Sequence, residues 1–316
     1  MIRAVVTDKL ASGHLTIQEV SAPHPKPWEA MVEVRAFSLN RGEVTNAKTQ
    51  EEQMRPGWDF SGIVIEQAKS GEGPRKGSRV VGLLPSGSWA EKVAVPVNFI
   101  AEIPDTVSYA QAATLPVAGL SALYTLRKGG MLLGKRILIT GSTGGVGLFA
   151  HQLASLSGAF NVGIARTEEK ANMILEAGAN KVIIGESITE SVEKYGPYHL
   201  IIDSLGGETL PSLLSQLMPG GVLVSVGYTA SPIATFDLSK LAYVGGVNLH
   251  RFYLGEEVNR FSPKEDLKIL GDLIANGQLK PLVAVEAPWE TIGTIAQQLI
   301  DRKFSGKAVL LINGDN

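Results

Sequence analysis

The chain has 316 residues, 44% of them apolar, and 29 Lys and Arg against 31 Asp and Glu, for a net charge of -2. This length and apolar share predict two hydrophobic cores and therefore two domains. The near-neutral charge argues against nucleic acid or a membrane surface as a partner. Cys is absent, which excludes disulfides, thiolate zinc ligands and Cys nucleophiles. With no signal-peptide core and no apolar run of about 18 residues, we expect a soluble cytoplasmic protein.

Short apolar runs separated by Gly and Pro fill residues 1 to 112 and predict strands rather than helices. The predicted strands cover residues 4–7, 15–20, 30–37, 62–67, 79–83 and 90–96. Such a set is typical of a β-rich, partly closed barrel. Two segments have the residue types of a site: 38–43, which contains Ser38 and Asn40 after a strand, and 55–62, which contains Gly57-Trp58-Asp59.

A helical pattern begins at Tyr109, and a glycine-rich segment follows the apolar run 137–139. Gly141, Gly144 and Gly147 recur every third residue before a second helical pattern. This spacing allows a sharp turn, close approach of a pyrophosphate and close packing of the helix, whose N-terminus attracts phosphate. An ordinary tight turn is the alternative for the glycines alone. The candidate cofactor-binding residues of the segment are Ser142, Thr143, Gly144, Gly145 and Val146.

The next predicted strand, residues 160–165, ends at Arg166 and Thr167, with Lys170 close behind. An NAD-selective site would place an acidic residue here for the ribose hydroxyls. A guanidinium, a hydroxyl and an ammonium suit a 2'-phosphate instead, which predicts NADPH as the cofactor. The alternative is the solvated first turn of the following helix, where Glu168 and Glu169 also lie.

Strands and helices alternate from the glycine segment to residue 226, which predicts a parallel sheet covered by helices on both faces. The fold class is therefore α/β, with a Rossmann-type domain beside the β-rich one. Ligands bind beyond the C-terminal strand ends of such sheets. This adds Ser204 and Leu205, although a simple turn is also possible there, and Gly227 and Tyr228. Predicted domain boundaries are 1–112 with 278–316, and 113–277.

Several motifs, in their order and spacing, resemble the zinc-free, quinone oxidoreductase-like branch of the medium-chain dehydrogenase/reductase superfamily. They are Leu39-Asn40, Pro56-Gly57-Trp58-Asp59, Ala112-Ala-Thr-Leu-Pro116, the glycine segment, Gly206-Gly207 and Gly306-Lys307. The resemblance implies a GroES-like catalytic domain, a Rossmann domain and NADPH-dependent reduction of a quinone or an α,β-unsaturated carbonyl compound. It also implies a possible homodimer.

The resemblance further implies roles for individual residues. Asn40 and Thr125 would lie near the nicotinamide as catalytic and cofactor-binding residues, and Phe252, Tyr228 and Asn40 would line the substrate mouth. The enolate oxygen would need a hydrogen-bond donor, for which Asn40, a backbone N–H and the nicotinamide ribose hydroxyl are alternatives. Tyr228, Tyr253 and water are candidate proton donors.

Metal binding is not expected. Zinc-dependent relatives place Cys and Gly-His-Glu where this chain has Ser38 and Gly57-Trp58-Asp59, and the five His residues lack metal-ligand spacing.

Two other protein classes share some of these sequence features. Residues 140–147 also fit the glycine pattern of short-chain dehydrogenases, but those enzymes carry a Tyr-x-x-x-Lys pair downstream. Here the only such pair, Tyr124 and Lys128, lies upstream. A non-catalytic NADPH-binding sensor or scaffold protein stays open as the second alternative.

Overall fold

The computed structural model describes residues 1–185, 191–241 and 244–312. The chain divides into two compact units, Met1–Leu120 together with Gly255–Asn316, and Ser121–Leu254. We call them the first and the second unit. Segments 113–120 and 255–277, which the predicted boundaries assign to the nucleotide domain, belong to the first unit by compactness. The functional boundaries at 112 and 278 stay a prediction.

Strands and short helices make up both units. The strands are β1 Ile2–Thr7, β2 Leu15–Val20, β3 Glu29–Ser38, β4 Asp59–Glu66, β5 Arg79–Leu83, β6 Lys92–Pro96, β7 Ile100–Glu102, β8 Arg136–Ile139, β9 Phe160–Ala165, β10 Lys181–Ile184, β11 Tyr198–Asp203, β12 Leu217–Ser225, β13 Asn248–Arg251, β14 Val283–Pro288 and β15 Lys307–Leu311. The helices are α1 Arg41–Ala47, α2 Tyr109–Ala113, α3 Leu120–Arg127, α4 Gly145–Leu156, α5 Glu168–Glu176, α6 Thr209–Leu214, α7 Leu254–Arg260, α8 Pro263–Ala275 and α9 Ile292–Ile300. Among the described residues, no helix has the length and apolar character needed to span a membrane.

The first unit is built on a sheet in the order β14-β15-β3-β4-β5-β7, with β6 also paired to β3. Its core contains Phe37, whose ring stacks on Trp89 at 5.4 Å between centroids and meets Trp289 edge-on at 6.5 Å. Strand β15 pairs antiparallel with β3, with Val309 opposite Ser38. This pairing brings Lys307, the first residue of β15, beside the chain that leaves β3.

Three elements near this point differ from the sequence-based expectation. Helix α1 was not predicted, because seven residues with Val44 and Ala47 as their buried apolar side chains are too short to display a helical period. Strand β4 begins at Asp59 rather than Gly62, so Asp59 is a strand residue with a buried side chain. Strand β7 was not predicted either. Because α1 begins at Arg41, Asn40 lies in the two-residue connection between β3 and this helix.

The second unit confirms the predicted Rossmann-type fold. Its strands are all parallel, in the order β10-β9-β8-β11-β12-β13. The order reverses between β8 and β11, and such a reversal opens a crevice beyond the carboxyl ends of the strands where ligands bind. Strand β13 was not predicted, since three of its four residues are exposed and it has no buried apolar run.

A buried histidine joins α4 to the sheet of the second unit. The Nδ1 atom of His151 lies 2.6 Å from Oδ1 of Asn161 on β9, and Nδ2 of Asn161 donates to Gly178 O at 3.1 Å. The Asn161 amide is thereby oriented, so Nδ1 carries the hydrogen of a neutral imidazole. Nε2 is buried and has no hydrogen-bond partner among the described residues, and burial lowers the pKa of His151 to about 4.

We expect this histidine to make the protein acid-sensitive. Between pH 6.5 and 4 the unfolded chain binds a proton at His151 that the native chain does not, so the free energy of unfolding falls as the pH drops. The loss should reach about 3 kcal/mol. Urea unfolding of His151→Leu across this range should show a shallower pH dependence than the parent protein. The matched control is His24→Leu at an exposed position, which should keep the parent slope, and equal slopes for all three proteins would contradict the prediction.

Candidate active site

The glycine segment after β8 packs so tightly that side chains are excluded. Gly141 has φ of +62°, in the left-handed region that favours glycine. A Cβ atom on Gly147 would lie 2.5 Å from the Gly141 carbonyl oxygen and 2.7 Å from Cα of Ser142. A Cβ on Gly144 would lie 3.3 Å from the same oxygen. The turn and the start of α4 are thus held in close backbone contact.

Helix α4 begins without a capping side chain. Gly144 is the N-cap residue, extended with φ of -80° and ψ of 167°, and it makes no side-chain cap hydrogen bond. The N–H groups of Gly145, Val146 and Gly147 have no acceptor within the helix, because the first such bond runs from Leu148 N to Gly144 O at 3.0 Å. These donors and the helix dipole suit an anion, and the exposed Gly144 leaves the approach open.

A buried carboxylate joins the ends of β8 and β11. Thr140 Oγ1 donates to Asp203 Oδ1 at 2.7 Å and accepts from Ser204 N at 2.9 Å. The N–H groups of Leu205 and Gly206 donate to Asp203 at 3.2 and 2.9 Å. Burial raises the pKa of Asp203, and these hydrogen bonds oppose that rise. The sequence singled out this turn, but it gave no indication that Asp203 organises it.

The predicted residues on the loops after β8, β11 and β12 differ in their exposure and in the hydrogen bonds that their side chains make. Ser142 is buried, and its hydroxyl donates to Ile139 O at 2.7 Å and accepts from Ile164 N at 3.0 Å, so it joins β8 to β9. Thr143, Ser204, Leu205 and Gly227 are half-buried. Tyr228 is 58% exposed, with the Arg251 guanidinium 5.8 Å from its ring centroid. Ser142 is therefore a structural hydroxyl in this state, while the others remain accessible.

The predicted 2'-phosphate residues lie together after β9. Arg166 and Thr167 are exposed and Lys170 is half-buried. Thr167 is the N-cap of α5 and accepts from Lys170 N at 3.4 Å. With respect to the described part of the chain, the side chains of Arg166 and Lys170 make no hydrogen bond or ion pair, so both cations are available to a ligand.

Two further predicted residues of the second unit, Thr125 and Phe252, are buried. Thr125 is 0% exposed, and its hydroxyl hydrogen is shared between the carbonyl oxygens of Ser121 at 2.8 Å and Ala122 at 2.9 Å. Phe252 is 3% exposed, although it was predicted at the substrate mouth, whereas Tyr253 beside it is 67% exposed. The roles of Thr125 and Phe252 stay predictions.

The first unit contains a buried polar cluster that we call the Asn40 cluster: Ser38, Asn40, Glu43, Asp59 and Lys307. Ser38 Oγ donates to Asp59 at 2.7 Å. Asn40 Nδ2 donates to Glu43 at 2.7 Å and to Asp59 at 2.9 Å. Lys307 Nζ donates to Asn40 Oδ1 at 2.5 Å and to Leu39 O at 2.9 Å, and lies 4.0 Å from Asp59 Oδ2.

Asn40 is the half-buried member of the cluster, while the other four are at most 4% exposed. Burial, together with the negative charge of Asp59, raises the pKa of Glu43 well above its ordinary value. Burial lowers the pKa of Lys307, an effect that Asp59 and Glu43 oppose. Sequence reasoning included Glu43 in the site-like segment 38–43 without giving it a role, and it did not assign Lys307 to a site, because the pairing of β15 with β3 is what brings Lys307 to Asn40.

Of the positions that the family resemblance aligns with the Cys and Gly-His-Glu of zinc-dependent relatives, Ser38 and Asp59 belong to this cluster. Ser38 donates a hydrogen bond to Asp59, and Asp59 also faces the Lys307 ammonium. A hydroxyl, a carboxylate and an ammonium in these contacts do not form a set of zinc ligands. Within the ranges that the structure describes, no group of three or more His, Cys, Asp or Glu side chains could hold a metal ion.

Comparison with known proteins agrees with this organisation. Residues 26–105 match the alcohol dehydrogenase GroES-like domain, and residues 145–273 match the zinc-binding dehydrogenase family. The chain is similar along its whole length to a crystal structure of Escherichia coli quinone oxidoreductase complexed with NADPH. The TM-score is 0.89 at 26% identity, covering 98% of this chain and 100% of the other. The two family matches and these neighbours together support membership of the quinone oxidoreductase-like, zinc-free branch of the medium-chain dehydrogenase/reductase superfamily.

Other members of the superfamily show a range of named substrates. Acryloyl-coenzyme A reductase of Sulfurisphaera tokodaii is 26% identical, over 98% of this chain and 99% of its own. Quinone oxidoreductase-like protein 2 of Bos taurus is also 26% identical, over 94% of this chain and 88% of its own. The sequence-based assignment to this family of oxidoreductases is confirmed, and these names do not converge on one substrate.

The close backbone contact at Gly147 leads to a prediction about the loop. Gly147→Ala should destabilise the protein by on the order of 1–3 kcal/mol and weaken nucleotide binding, because its Cβ meets backbone atoms that cannot move independently. Gly144→Ala, whose Cβ has more room, is the matched variant and should lose less stability. Thermal unfolding and calorimetric titration with NADPH measure both effects. A Gly147→Ala protein as stable as Gly144→Ala would show that the loop relaxes freely.

Proposed function

We propose that the protein is an NADPH-dependent oxidoreductase that reduces a quinone or an α,β-unsaturated carbonyl compound without zinc. The observation that carries the proposal is the glycine cradle at the start of α4, where a Cβ on Gly147 would lie 2.5 Å from a backbone oxygen and three N–H groups lack helical acceptors. Such a cradle fits a pyrophosphate. The NADPH named in the Escherichia coli relative supports the same cofactor.

The choice of NADPH over NADH is supported by the side chains of Arg166 and Lys170 after β9, which make no hydrogen bond or ion pair with the residues that the structure describes. Two cations at this strand end would bind a 2'-phosphate by charge-assisted hydrogen bonds. The adjacent Glu168 and Glu169 belong to the first turn of α5, where acidic side chains are favoured by the helix dipole.

Bound NADPH would supply a hydride to the acceptor, and the chain's own residues would bind, orient and exclude water. The N-terminal N–H groups of α4 would hold the pyrophosphate. By family resemblance, Asn40 and Thr125 would serve the nicotinamide and Tyr228 the substrate. Neither Tyr228 nor Tyr253 is buried, so we assign the final proton to water. A homodimer stays a prediction.

The activity can be tested by following loss of NADPH absorbance with a panel of acceptors. We expect turnover with at least one of a benzoquinone, a simple enone and acryloyl-coenzyme A, because all three carry a carbonyl conjugated to a carbon-carbon double bond. Oxidation of NADPH without acceptor is the control. If calorimetry shows nucleotide binding while every acceptor stays unreduced, the non-catalytic sensor or scaffold interpretation replaces this proposal.

The cofactor preference can be tested at Arg166. Arg166→Ala should raise the Kd for NADPH by about 10- to 100-fold, since charged hydrogen bonds to the 2'-phosphate are lost, and should change the Kd for NADH by less than about twofold. Arg75→Ala, at an exposed position in the first unit, is the matched control. Equal losses for both nucleotides would remove Arg166 from the 2'-phosphate site.

A further inference from the structure

We propose that Lys307 is a positioning residue that fixes the side-chain amide of Asn40, so that Asn40 meets a ligand only as a hydrogen-bond acceptor. The proposal rests on the proposed function, in which Asn40 serves the cofactor or substrate. It goes beyond that function because it assigns a role to three buried ionisable side chains and states which chemical group Asn40 can recognise.

The first step is the count of donors on Asn40. An Asn side chain has two N–H donors and one carbonyl oxygen with two lone pairs. Nδ2 lies 2.7 Å from Glu43 Oε2 and 2.9 Å from Asp59 Oδ2, so both hydrogens are used. Oδ1 accepts from Lys307 at 2.5 Å, which leaves one lone pair. The half-buried Asn40 therefore has an acceptor to offer and no donor.

The second step is the orientation of the amide. Rotating it by half a turn would place its N–H groups against the Lys307 ammonium and its oxygen against the carboxyl groups of Glu43 and Asp59. The contacts of the rotated amide with the Lys307 ammonium and with the Asp59 carboxylate are repulsive in a buried site, where electrostatic interactions are stronger than in water. Lys307 is held in turn by Leu39 O at 2.9 Å and by the pairing of β15. The orientation is thus set by the buried cluster rather than by the ligand.

The consequence concerns the ligand group. A remaining lone pair on Asn40 accepts from a hydroxyl or an amide N–H of cofactor or substrate. It gives no stabilisation to an enolate oxygen, which needs a donor. Of the three alternatives for that charge, a backbone N–H and the ribose hydroxyl are then left.

The experiment separates two roles of Lys307: orienting the Asn40 amide and neutralising the charge of Asp59. Lys307→Met removes the donor to Asn40 and leaves Asp59 as a buried carboxylate without its cation, so both stability and turnover should fall. Adding Asp59→Asn removes that unpaired charge. We expect the double variant to regain most of the lost melting temperature while kcat stays about 10- to 100-fold below the parent value, with the Kd for NADPH within about threefold. Lys303→Met, at an exposed position nearby in sequence, is the matched control and should behave as the parent protein.

A second measurement does not depend on turnover. In nuclear magnetic resonance spectra, the side-chain amide protons of Asn40 should exchange slowly with solvent in the parent protein. They should exchange at least about tenfold faster in Lys307→Met, which keeps both carboxyl acceptors but frees the amide to leave them. An Asn40→Ala protein identifies the resonances. If the parent reduces no acceptor but this exchange behaves as expected, the proposed function fails and the orientation stands. Recovery of kcat along with stability in the double variant, or fast exchange in the parent, would overturn the proposal.

Discussion

In the second unit, a buried carboxylate whose donors among the described residues are all neutral organises the loops that follow β8 and β11. Asp203 accepts from the Thr140 hydroxyl and from the N–H groups of Leu205 and Gly206, all of them neutral donors. These bonds join the ends of β8 and β11 where the strand order reverses. The glycine turn after β8 and the loop after β11 are therefore fixed relative to each other without a ligand. This order reduces the entropic cost of ligand binding.

The first unit surrounds its buried carboxyl groups in another way. Asp59 faces the Lys307 ammonium and accepts from Ser38 and Asn40, and Glu43 shares the Asn40 amide. In zinc-dependent relatives, Ser38 and Asp59 correspond to positions of the metal site. In this chain the local positive charge comes from Lys307, the first residue of β15, which lies beside Asp59. An ammonium cannot act as a Lewis acid, and its effect on a ligand passes through the orientation of Asn40.

The sequence located some of the candidate residues in the fold and missed the contacts of others, for identifiable reasons. The glycine segment and the cations after β9 were located because a turn and a strand end can each be recognised from a short stretch of sequence. Ser142 was found in the right loop, but its hydroxyl serves β8 and β9, which only the pairing of these strands reveals. Glu43 lies in the segment that the sequence singled out, but its contact with Asn40 depends on the short helix α1. Lys307 is far from Asn40 in the chain, and only the pairing of β15 with β3 brings it there.

By itself, the sequence determined the α/β class, the parallel alternation around the glycine segment and the family, because periodicity and glycine spacing are encoded over short stretches. The tertiary structure alone decided that β13 joins the sheet edge, that β15 pairs with β3, and that Asn40 spends both its donors on buried carboxyl groups. The physical reason is that buried polar groups must find partners wherever the packed chain places them. Those partners are set by long-range contacts, which no local pattern records.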